Sequence, residues 1–266
     1  MRGFLGQIEL EILLKLGALG RFVRFCGAAI AGAAYEPPRR RVIMPLMMEI
    51  GLRSVGVVLA TGAFVGMVLA VQIYNQLHKI GSETTAGPII NLSIVSELGP
   101  VLAAIILAGR VGGAMAAELG TMKVTEQLDA LRTLGADPVN YLVTPRFISC
   151  LLLVPLLTIY SDAIGVFGGY MMSVKFYGID EFFYWEQTKL FLERWDIFVG
   201  IAKSFFFGGA IGLICCYKGF QAEQGAEGVG RATTNAFVAS FITILVGNFF
   251  MSLFFNTVYT MLYRRG

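Results

Sequence analysis

Five long apolar stretches dominate this chain and limit the folds that are open to it. They cover residues 54–74, 89–119, 147–174, 197–217 and 236–262, and the first and last carry no charged residue. A bilayer core about 30 Å thick is crossed by roughly 20 helical residues. Because lipid offers no hydrogen bonds to irregular backbone, stretches of this length must form helices if they cross a membrane.

The composition supports a membrane protein. Hydrophobic residues make up 56% of the 266 residues and charged residues only 15%, too few to cover a water-soluble surface of this size. The net charge of +3 is small, and the basic residues are not interleaved with aromatic ones, so we expect no nucleic-acid partner. The sequence predicts an all-α integral membrane protein with a single domain, 1–266.

The N-terminal segment, residues 1–43, differs from the five stretches because its charges are spread along it. Gln7, Glu11 and Lys15 form a polar stripe at i, i+4 spacing. This pattern predicts an amphipathic helix on the cytoplasmic membrane surface, followed by a transmembrane bundle over 44–266. A sixth spanning helix is the alternative. The apolar residues that recur at spacings of three and four are Leu5, Ile8, Ile12, Leu16, Leu19 and Val23.

Lysine and arginine residues predict the orientation. Basic residues are found in the N-terminal segment, in the loop after the second stretch and in the loop after the fourth, which all lie on one side of a five-helix bundle. Lys79 and the stretch from Lys175 to Arg194 lie on the other side. The positive-inside rule makes that side cytoplasmic, so we expect a cytoplasmic N-terminus and a periplasmic C-terminus. Arg264 and Arg265 run against the rule.

The chain lacks the residues of the common catalytic sites. It contains no GxxxxGK[ST] sequence, no GxSxG sequence and a single histidine, His78, so we expect neither ATP hydrolysis nor another enzymatic activity in this chain. We expect no metal site and no cofactor bound by this chain. Four cysteines in apolar stretches are predicted to be reduced packing residues: Cys26, Cys150, Cys215 and Cys216.

The second stretch contains charged residues at bilayer depth. An ionised group there costs about 2.5–3.5 kcal/mol, so Glu97 and Arg110 must face protein or a wet cavity. We expect Arg110 and Glu118 to be structural, and Glu97 either to be structural or to line a transport path. Small residues at four-residue spacing predict close helix contacts and a central position in the bundle. They are Gly109 with Gly113, and Gly112 with Ala116 and Gly120.

A short helix is predicted between the second and third stretches. Thr125 can cap its start, Glu126 suits its positive end, and Gly135 with Pro138 ends it. An apolar stripe on so short a cytoplasmic helix favours docking into a partner groove, with the membrane surface as the alternative. The stripe consists of Leu128, Leu131 and Leu134.

Several of these segments together resemble the MlaE permease family, in the same order over residues 45–262. The segments are Glu97-Leu-Gly-Pro-Val, Ala108-Gly-Arg-Val-Gly, Ala117-Glu-Leu-Gly, Thr125-Glu-Gln-Leu-Asp-Ala-Leu, Asp137-Pro138, Pro145-Arg146 and Gly230-Arg-Ala-Thr-Thr234. The resemblance implies a homodimer with five transmembrane helices and a surface-lying N-terminal helix per subunit.

The resemblance also implies partners and a cargo. A cytoplasmic ABC ATPase dimer, which binds ATP and Mg²⁺, would drive phospholipid transport between the bacterial inner membrane and a periplasmic hexamer of MCE-domain proteins. A small accessory cytoplasmic protein can accompany the ATPase. The short helix matches the family's coupling helix, and its expected ATPase contacts are Glu126, Gln127, Leu128, Asp129, Leu131 and Arg132.

The resemblance also implies which residues of this sequence form the lipid site. Glu97 is similar to the glutamate of the family's ELGP motif, Lys203 matches a lysine of the fourth helix, and Asn248 stands where some relatives have aspartate. Ser96 stands where arginine is frequent, so Lys203 is the candidate cation for a head group. The apolar wall is expected to include Leu69, Leu77 and Ile80 of the first spanning helix and Phe249 and Leu253 of the fifth. Gln72 and Tyr74, at the outer end of the first helix, are expected to meet water, a head group or the MCE partner.

Two other functions compete with this interpretation. An ion- or proton-coupled secondary transporter would use Glu97, Asp162 and Lys203 as a relay, although the two sequence halves show no inverted similarity. A structural membrane anchor for a partner complex is the third hypothesis.

Overall fold

The computed structural model describes residues 2–35, 38 and 40–263, and in that part of the chain the regular structure is helical throughout. We label the helices in chain order. They are α1 (Arg2–Tyr35), α2 (Arg40–His78), α3 (Glu83–Val124), α4 (Gln127–Thr133), α5 (Val139–Phe176), α6 (Glu181–Phe191), α7 (Arg194–Phe220) and α8 (Gly225–Tyr263). The prediction of an all-α integral membrane protein is confirmed.

Six of the described helices are long and apolar enough to cross a membrane: α2, α3, α5, α7, α8 and residues 16–35 of α1. The five predicted stretches lie within α2, α3, α5, α7 and α8. The helix predicted at the N-terminus is confirmed, and its placement on the membrane surface stays a prediction. The stripe of Gln7, Glu11 and Lys15 has side chains outside the described residues, as do Arg264 and Arg265.

The C-terminal half of α1 packs against the end of the bundle where α5 begins and α7 ends. Phe25 meets the rings of Tyr217 and Phe220 edge-on, with centroids 5.3 and 5.5 Å apart. Ala29 is buried, and its carbonyl accepts a hydrogen bond from the hydroxyl of Thr144 at 3.4 Å. These contacts place α1 beside the end of the bundle that carries α4.

Helix α5 is the most enclosed helix of the bundle. In its most apolar stretch 72% of the residues are buried, compared with 39% in α3. Gly66 of α2 lies directly on the backbone of Gly165, where a β-carbon would have no room. The expectation that α3 holds the central position is therefore wrong for the single chain, because the close approach of α2 to α5 puts α5 in the middle.

The small residues of α3 do make the close helix contacts that their spacing predicts. Gly112 faces the thiol of Cys215 on α7, and Gly113 faces Thr233 on α8. A β-carbon on Gly120 would lie 3.1 Å from that of Ala222, which follows α7. Both small-residue rows are therefore used within the chain, to pack α3 against α7 and α8.

Two π-helical turns interrupt α3, at Ile94–Leu98 and Ala108–Gly112. The first contains Glu97 and the second contains Arg110. A π turn inserts an extra residue into the helix and often marks a functional position, because it redirects side chains and loosens the backbone hydrogen bonding.

Helix α4 is shorter than predicted and begins differently. Thr125 does not cap it, since its hydroxyl donates backwards to the carbonyl of Thr121 at 2.9 Å. The N-cap position is held by Glu126, whose φ of 60° lies in the left-handed region and separates α4 from the end of α3. Gly135, with a φ of 78°, ends the segment as predicted.

Helix α6 lies at the opposite end of the bundle and is fixed by a buried polar network. The hydroxyl of Tyr184 donates to Asn91 at 3.2 Å, and the Asn91 amide donates to Thr188 at 3.1 Å. Burial raises the pKa of Tyr184 to about 12, so the phenol stays protonated and keeps donating. The network holds α6 against the start of α3.

Candidate functional site

Pro100 leaves one backbone carbonyl of α3 without its usual amide donor, and the site is built around this carbonyl. In a regular α-helix the amide of residue 100 would donate to the carbonyl of Ser96, but proline has no amide hydrogen. The freed carbonyl accepts a hydrogen bond from the Nζ of Lys203 on α7, at 3.0 Å. The proline of the ELGP sequence therefore leaves the Ser96 carbonyl free to accept a hydrogen bond from a cation on another helix.

The ammonium group of Lys203 is completely enclosed. Its Nζ lies 2.7 Å from Oε1 of Glu97 and 2.8 Å from the hydroxyl of Ser252 on α8, and the side chain is 0% exposed. An ammonium has three N–H donors, and Ser96, Glu97 and Ser252 use all three. Lys203 thus holds α3, α7 and α8 together at one point.

Glu97, in contrast to Lys203, is partly open: its side chain is 44% exposed in the single chain. Its Oε2 accepts a hydrogen bond from the Asn248 amide at 3.0 Å, and the hydroxyl of Ser252 lies 2.9 Å from Oε1. The ion pair with Lys203 lowers the cost of placing a carboxylate at bilayer depth. The result is a locally neutral cluster with its acidic side open.

The open side of this cluster lies on a cavity of about 700 Å³. The wall combines charged and hydroxyl groups with large apolar and aromatic side chains, an arrangement that fits an amphiphile. The lining residues are Leu92, Ser93, Ser96, Glu97, Phe191, Glu193, Trp195, Asp196, Val199, Phe249, Ser252, Leu253, Phe255, Asn256 and Tyr259.

The connection between α6 and α7 forms one end of the cavity. Glu193 and Asp196 make a reciprocal capping box at the start of α7. The hydroxyl of Tyr259 on α8 donates to Glu193 at 3.0 Å, and the ring of Trp195 lies 6.2 Å from that of Phe255. These contacts join the C-terminal part of α8 to the α6–α7 connection.

The structure brings together three of the predicted site residues, Glu97, Lys203 and Asn248. Two residues predicted for the wall, Phe249 and Leu253, line the cavity beside Glu97. Lys203 lies behind the wall rather than on it, so it is not the head-group cation that the sequence suggested. Ser252 was missed, and its signal was present: it follows Asn248 by one helical turn, which places both polar side chains on one face of α8.

The predicted site residues of the first spanning helix are not part of this cavity lining. Leu69, Tyr74 and Leu77 pack against a second buried cluster, around Ile90 and Tyr184. The other two, Gln72 and Ile80, are exposed on and just after α2. Their role in transport stays a prediction.

The two charged residues of α3 that were expected to be structural, Glu118 and Arg110, have different surroundings. Glu118 bonds to Arg146 of α5 at 2.8 Å, and Arg146 is buried and also donates to the carbonyl of Leu142 at 2.8 Å. Arg110 is exposed on α3. Arg146 was not singled out as a partner because it lies outside the second stretch, at the start of α5.

Helix α4 shows two different faces. Leu128 is buried among Leu119, Leu142 and Val143 of its own chain, and Leu131 packs beside it. The expectation that the leucine stripe points at a partner is therefore wrong for these two residues, while Leu134 is 81% exposed. The other predicted contact residues, Glu126, Gln127, Asp129 and Arg132, are exposed.

Comparison with known proteins gives a family match. The family model described as Permease MlaE matches residues 43–254. A probable ABC transporter permease protein of Rickettsia typhi is 42% identical over 88% of this chain and 91% of its own length. A probable ABC transporter permease protein of Synechocystis is 44% identical over 80% of this chain and 81% of its own.

A further relative has a more specific name. The intermembrane phospholipid transport system permease protein MlaE of Haemophilus influenzae is 33% identical over 94% of this chain and 96% of its own length. A family match over most of the chain, together with relatives aligned over nearly their full length, shows that the chain belongs to the MlaE permease family.

Proposed function

We propose that this chain is the transmembrane permease subunit of an ABC transporter that moves phospholipid. The observation that carries the proposal is the cavity of about 700 Å³, in which the cluster of Glu97, Lys203 and Ser252 adjoins the apolar side chains of Phe249 and Leu253. A phospholipid needs both surfaces, an apolar wall for acyl chains and polar groups for the head. The name of the Haemophilus influenzae relative, an intermembrane phospholipid transport system permease, agrees with this cargo.

The energy for transport would come from a separate cytoplasmic ATPase dimer, which binds ATP and Mg²⁺. This chain has no phosphate-binding GxxxxGK[ST] loop, so ATP hydrolysis by such a loop needs another subunit. Helix α4 is the coupling element, with the exposed residues Arg132 and Leu134 as its ATPase contacts. Since α4 lies at the end where α1 packs, this end is cytoplasmic.

The full assembly is a homodimer in the bacterial inner membrane, with a periplasmic hexamer of MCE-domain proteins at the end that carries α6. Helix α8 has apolar surface available for a second copy or for lipid, because only 11% of its most apolar stretch is buried in the single chain. ATP-driven closure of the ATPase would move α4 and squeeze the cavity.

Transport by the cavity can be tested in vesicles that contain the purified complex with its ATPase. Glu97→Leu should abolish ATP-dependent transfer of labelled phospholipid while the complex still co-purifies. Glu186→Leu, which changes an exposed glutamate of α6, is the matched control and should leave transfer intact. Normal transfer by the Glu97 variant would refute the assignment.

The same vesicles separate the competing functions. Lipid transfer that persists without nucleotide and collapses with the proton gradient would favour the secondary transporter. One observation is relevant to it: Asp162 packs against Gly99, and its Oδ1 is buried without a hydrogen-bond partner among the described residues. A complex with neither bound lipid nor lipid-stimulated ATP hydrolysis would favour the structural anchor.

ATPase docking needs a separate test on exposed residues. Leu134→Asp combined with Arg132→Glu should reduce co-purification of the ATPase, because both side chains are exposed on and just after α4. The control is Ile80→Asp, which changes an exposed apolar residue between α2 and α3, at the opposite end of the bundle. Equal ATPase recovery from the two variants would count against α4 as the docking element.

A further inference from the structure

The cavity lacks the cation that would recognise a lipid phosphate. Lys203 is fully buried behind the wall, and its three N–H donors are used by Ser96, Glu97 and Ser252. A lipid phosphate could bind this ammonium only by breaking contacts that hold α3, α7 and α8 together. Lys203 is therefore an internal counter-charge and not a head-group ligand.

The charged groups on the wall are acidic. Glu97, Glu193 and Asp196 line the cavity, and among the described residues that line it there is no lysine or arginine. Each carboxylate already accepts a hydrogen bond, Glu97 from Asn248, Glu193 from Tyr259, and Asp196 from the amide of Glu193 at 2.9 Å. Carboxylate oxygens have two lone pairs each, so all three groups can accept more.

The neutral polar groups of the wall offer few hydrogen-bond donors to a lipid phosphate. The hydroxyl of Ser252 already faces Glu97, and Oδ1 of Asn248 is buried without a partner, which makes it one more acceptor. The remaining side-chain donors of the lining are the hydroxyl of Ser96, also buried without a partner, the amide of Asn256 and the indole N–H of Trp195. These three neutral groups can serve one phosphate but cannot balance the additional charge of an anionic lipid.

We propose that the cavity selects phospholipids whose head group carries an N–H-donating ammonium, of the ethanolamine type, over lipids with a net negative head group. The ammonium would donate to the carboxylates of Glu97, Glu193 and Asp196, and the phosphate would meet Ser96 and Asn256. The inference rests on the proposed function and adds the class of lipid to it.

The binding test uses the complex with its ATPase in vesicles that contain ethanolamine, choline and glycerol phospholipids in equal amounts. The complex is gently extracted, and its retained lipid is measured by mass spectrometry against the bulk vesicle lipid. A charge-assisted hydrogen bond corresponds to about tenfold in binding, so ethanolamine lipid should be enriched about tenfold over glycerol lipid.

Each contrary outcome has a distinct meaning. Equal retention of ethanolamine and glycerol lipids, or an excess of glycerol lipid, overturns the selection while lipid transport stands. Choline lipid retained as well as ethanolamine lipid also overturns it, because a quaternary ammonium donates no N–H. If no lipid is retained and none is transferred with ATP, the proposed function itself fails.

A substitution at Ser96 tests the electrostatic cause. Ser96→Arg puts a guanidinium on the wall beside Glu97 and should lower the enrichment of ethanolamine over glycerol lipid by about tenfold. Ser96→Met, of similar length but uncharged, is the matched control. It removes the same hydroxyl contact from every phospholipid, so the total lipid retained should fall while the ratio of ethanolamine to glycerol lipid should not change. An unchanged enrichment in an assembled Ser96→Arg complex would overturn the proposal.

A second variant keeps the proposal testable if Ser96→Arg fails to assemble. Asp196→Asn keeps a side-chain oxygen that can accept from the amide of Glu193 at the start of α7, but it removes one negative charge from the wall. The enrichment of ethanolamine lipid should fall by about threefold. A folded Asp196→Asn complex with undiminished enrichment contradicts the inference.

Discussion

The Glu97–Lys203 pair predicts an asymmetric response of stability to mutation. Glu97→Leu leaves a fully buried ammonium without its counter-charge, while Lys203→Met leaves a carboxylate that still has Asn248, Ser252 and the open cavity. The first change should therefore be the more damaging of the two, and removing both groups together should recover much of the loss.

The expected loss in the free energy of unfolding depends on how deeply each charged group is buried. Breaking a buried ion pair costs about 3–5 kcal/mol, and polar contacts measured inside a membrane protein average about 0.6 and reach about 1.7 kcal/mol. Because Glu97 is 44% exposed, solvent reduces the effect, and we expect a loss of about 2–3 kcal/mol for Glu97→Leu. We expect a loss of about 1 kcal/mol for Lys203→Met and about 1.5 kcal/mol for the double variant.

The assay is reversible unfolding of the purified chain in mixed micelles, with the four proteins compared under one condition. The double-mutant cycle should give a coupling free energy of about 2 kcal/mol. Additive losses, or a larger loss for Lys203→Met than for Glu97→Leu, would refute the view that Lys203 is buried and Glu97 is open.

Other predictions concern the packing that supports the site. Gly200→Ala should reduce lipid transfer, because a β-carbon there meets the backbone of the π turn that carries Glu97, whereas Gly56→Ala, which has open space, should not. Arg146→Met should lower the free energy of unfolding by about 1–3 kcal/mol, and Glu118→Gln by under about 1 kcal/mol, because only the arginine is buried. Leu128→Ala should lower the free energy of unfolding by about 2–3 kcal/mol even without the ATPase. Unfolding and vesicle transfer assays check all three.

The helices were predictable because a bilayer allows so few structures. The five apolar stretches all lie within long helices, and the small residues of α3 make the contacts that their spacing implies. What the stretches did not predict is the enclosed position of α5, because that depends on the pairing of α2 with α5 through Gly66 and Gly165. Such pairing is a tertiary property.

The site was predictable in part. The cost of charge in a bilayer and the family resemblance singled out Glu97 and Lys203, but neither indicates which way a side chain points. The π turn and the missing amide of Pro100 turn the Ser96 carbonyl into an acceptor, and that withdraws Lys203 from the cavity. The stripe on α4 was misread for a similar reason, since Leu128 finds its apolar partner within its own chain.

Blocking the cavity tests the central claim most directly. Cys26 is the one partly exposed cysteine, and the other three are buried. A Cys26→Ser background therefore allows a single accessible cysteine to be introduced at Leu253, on the cavity wall, or at Ile159, exposed on α5. A bulky maleimide should stop ATP-dependent lipid transfer by the Leu253→Cys complex and spare the Ile159→Cys complex. Transfer that continues when the Leu253 position is fully labelled would contradict a lipid path through this cavity.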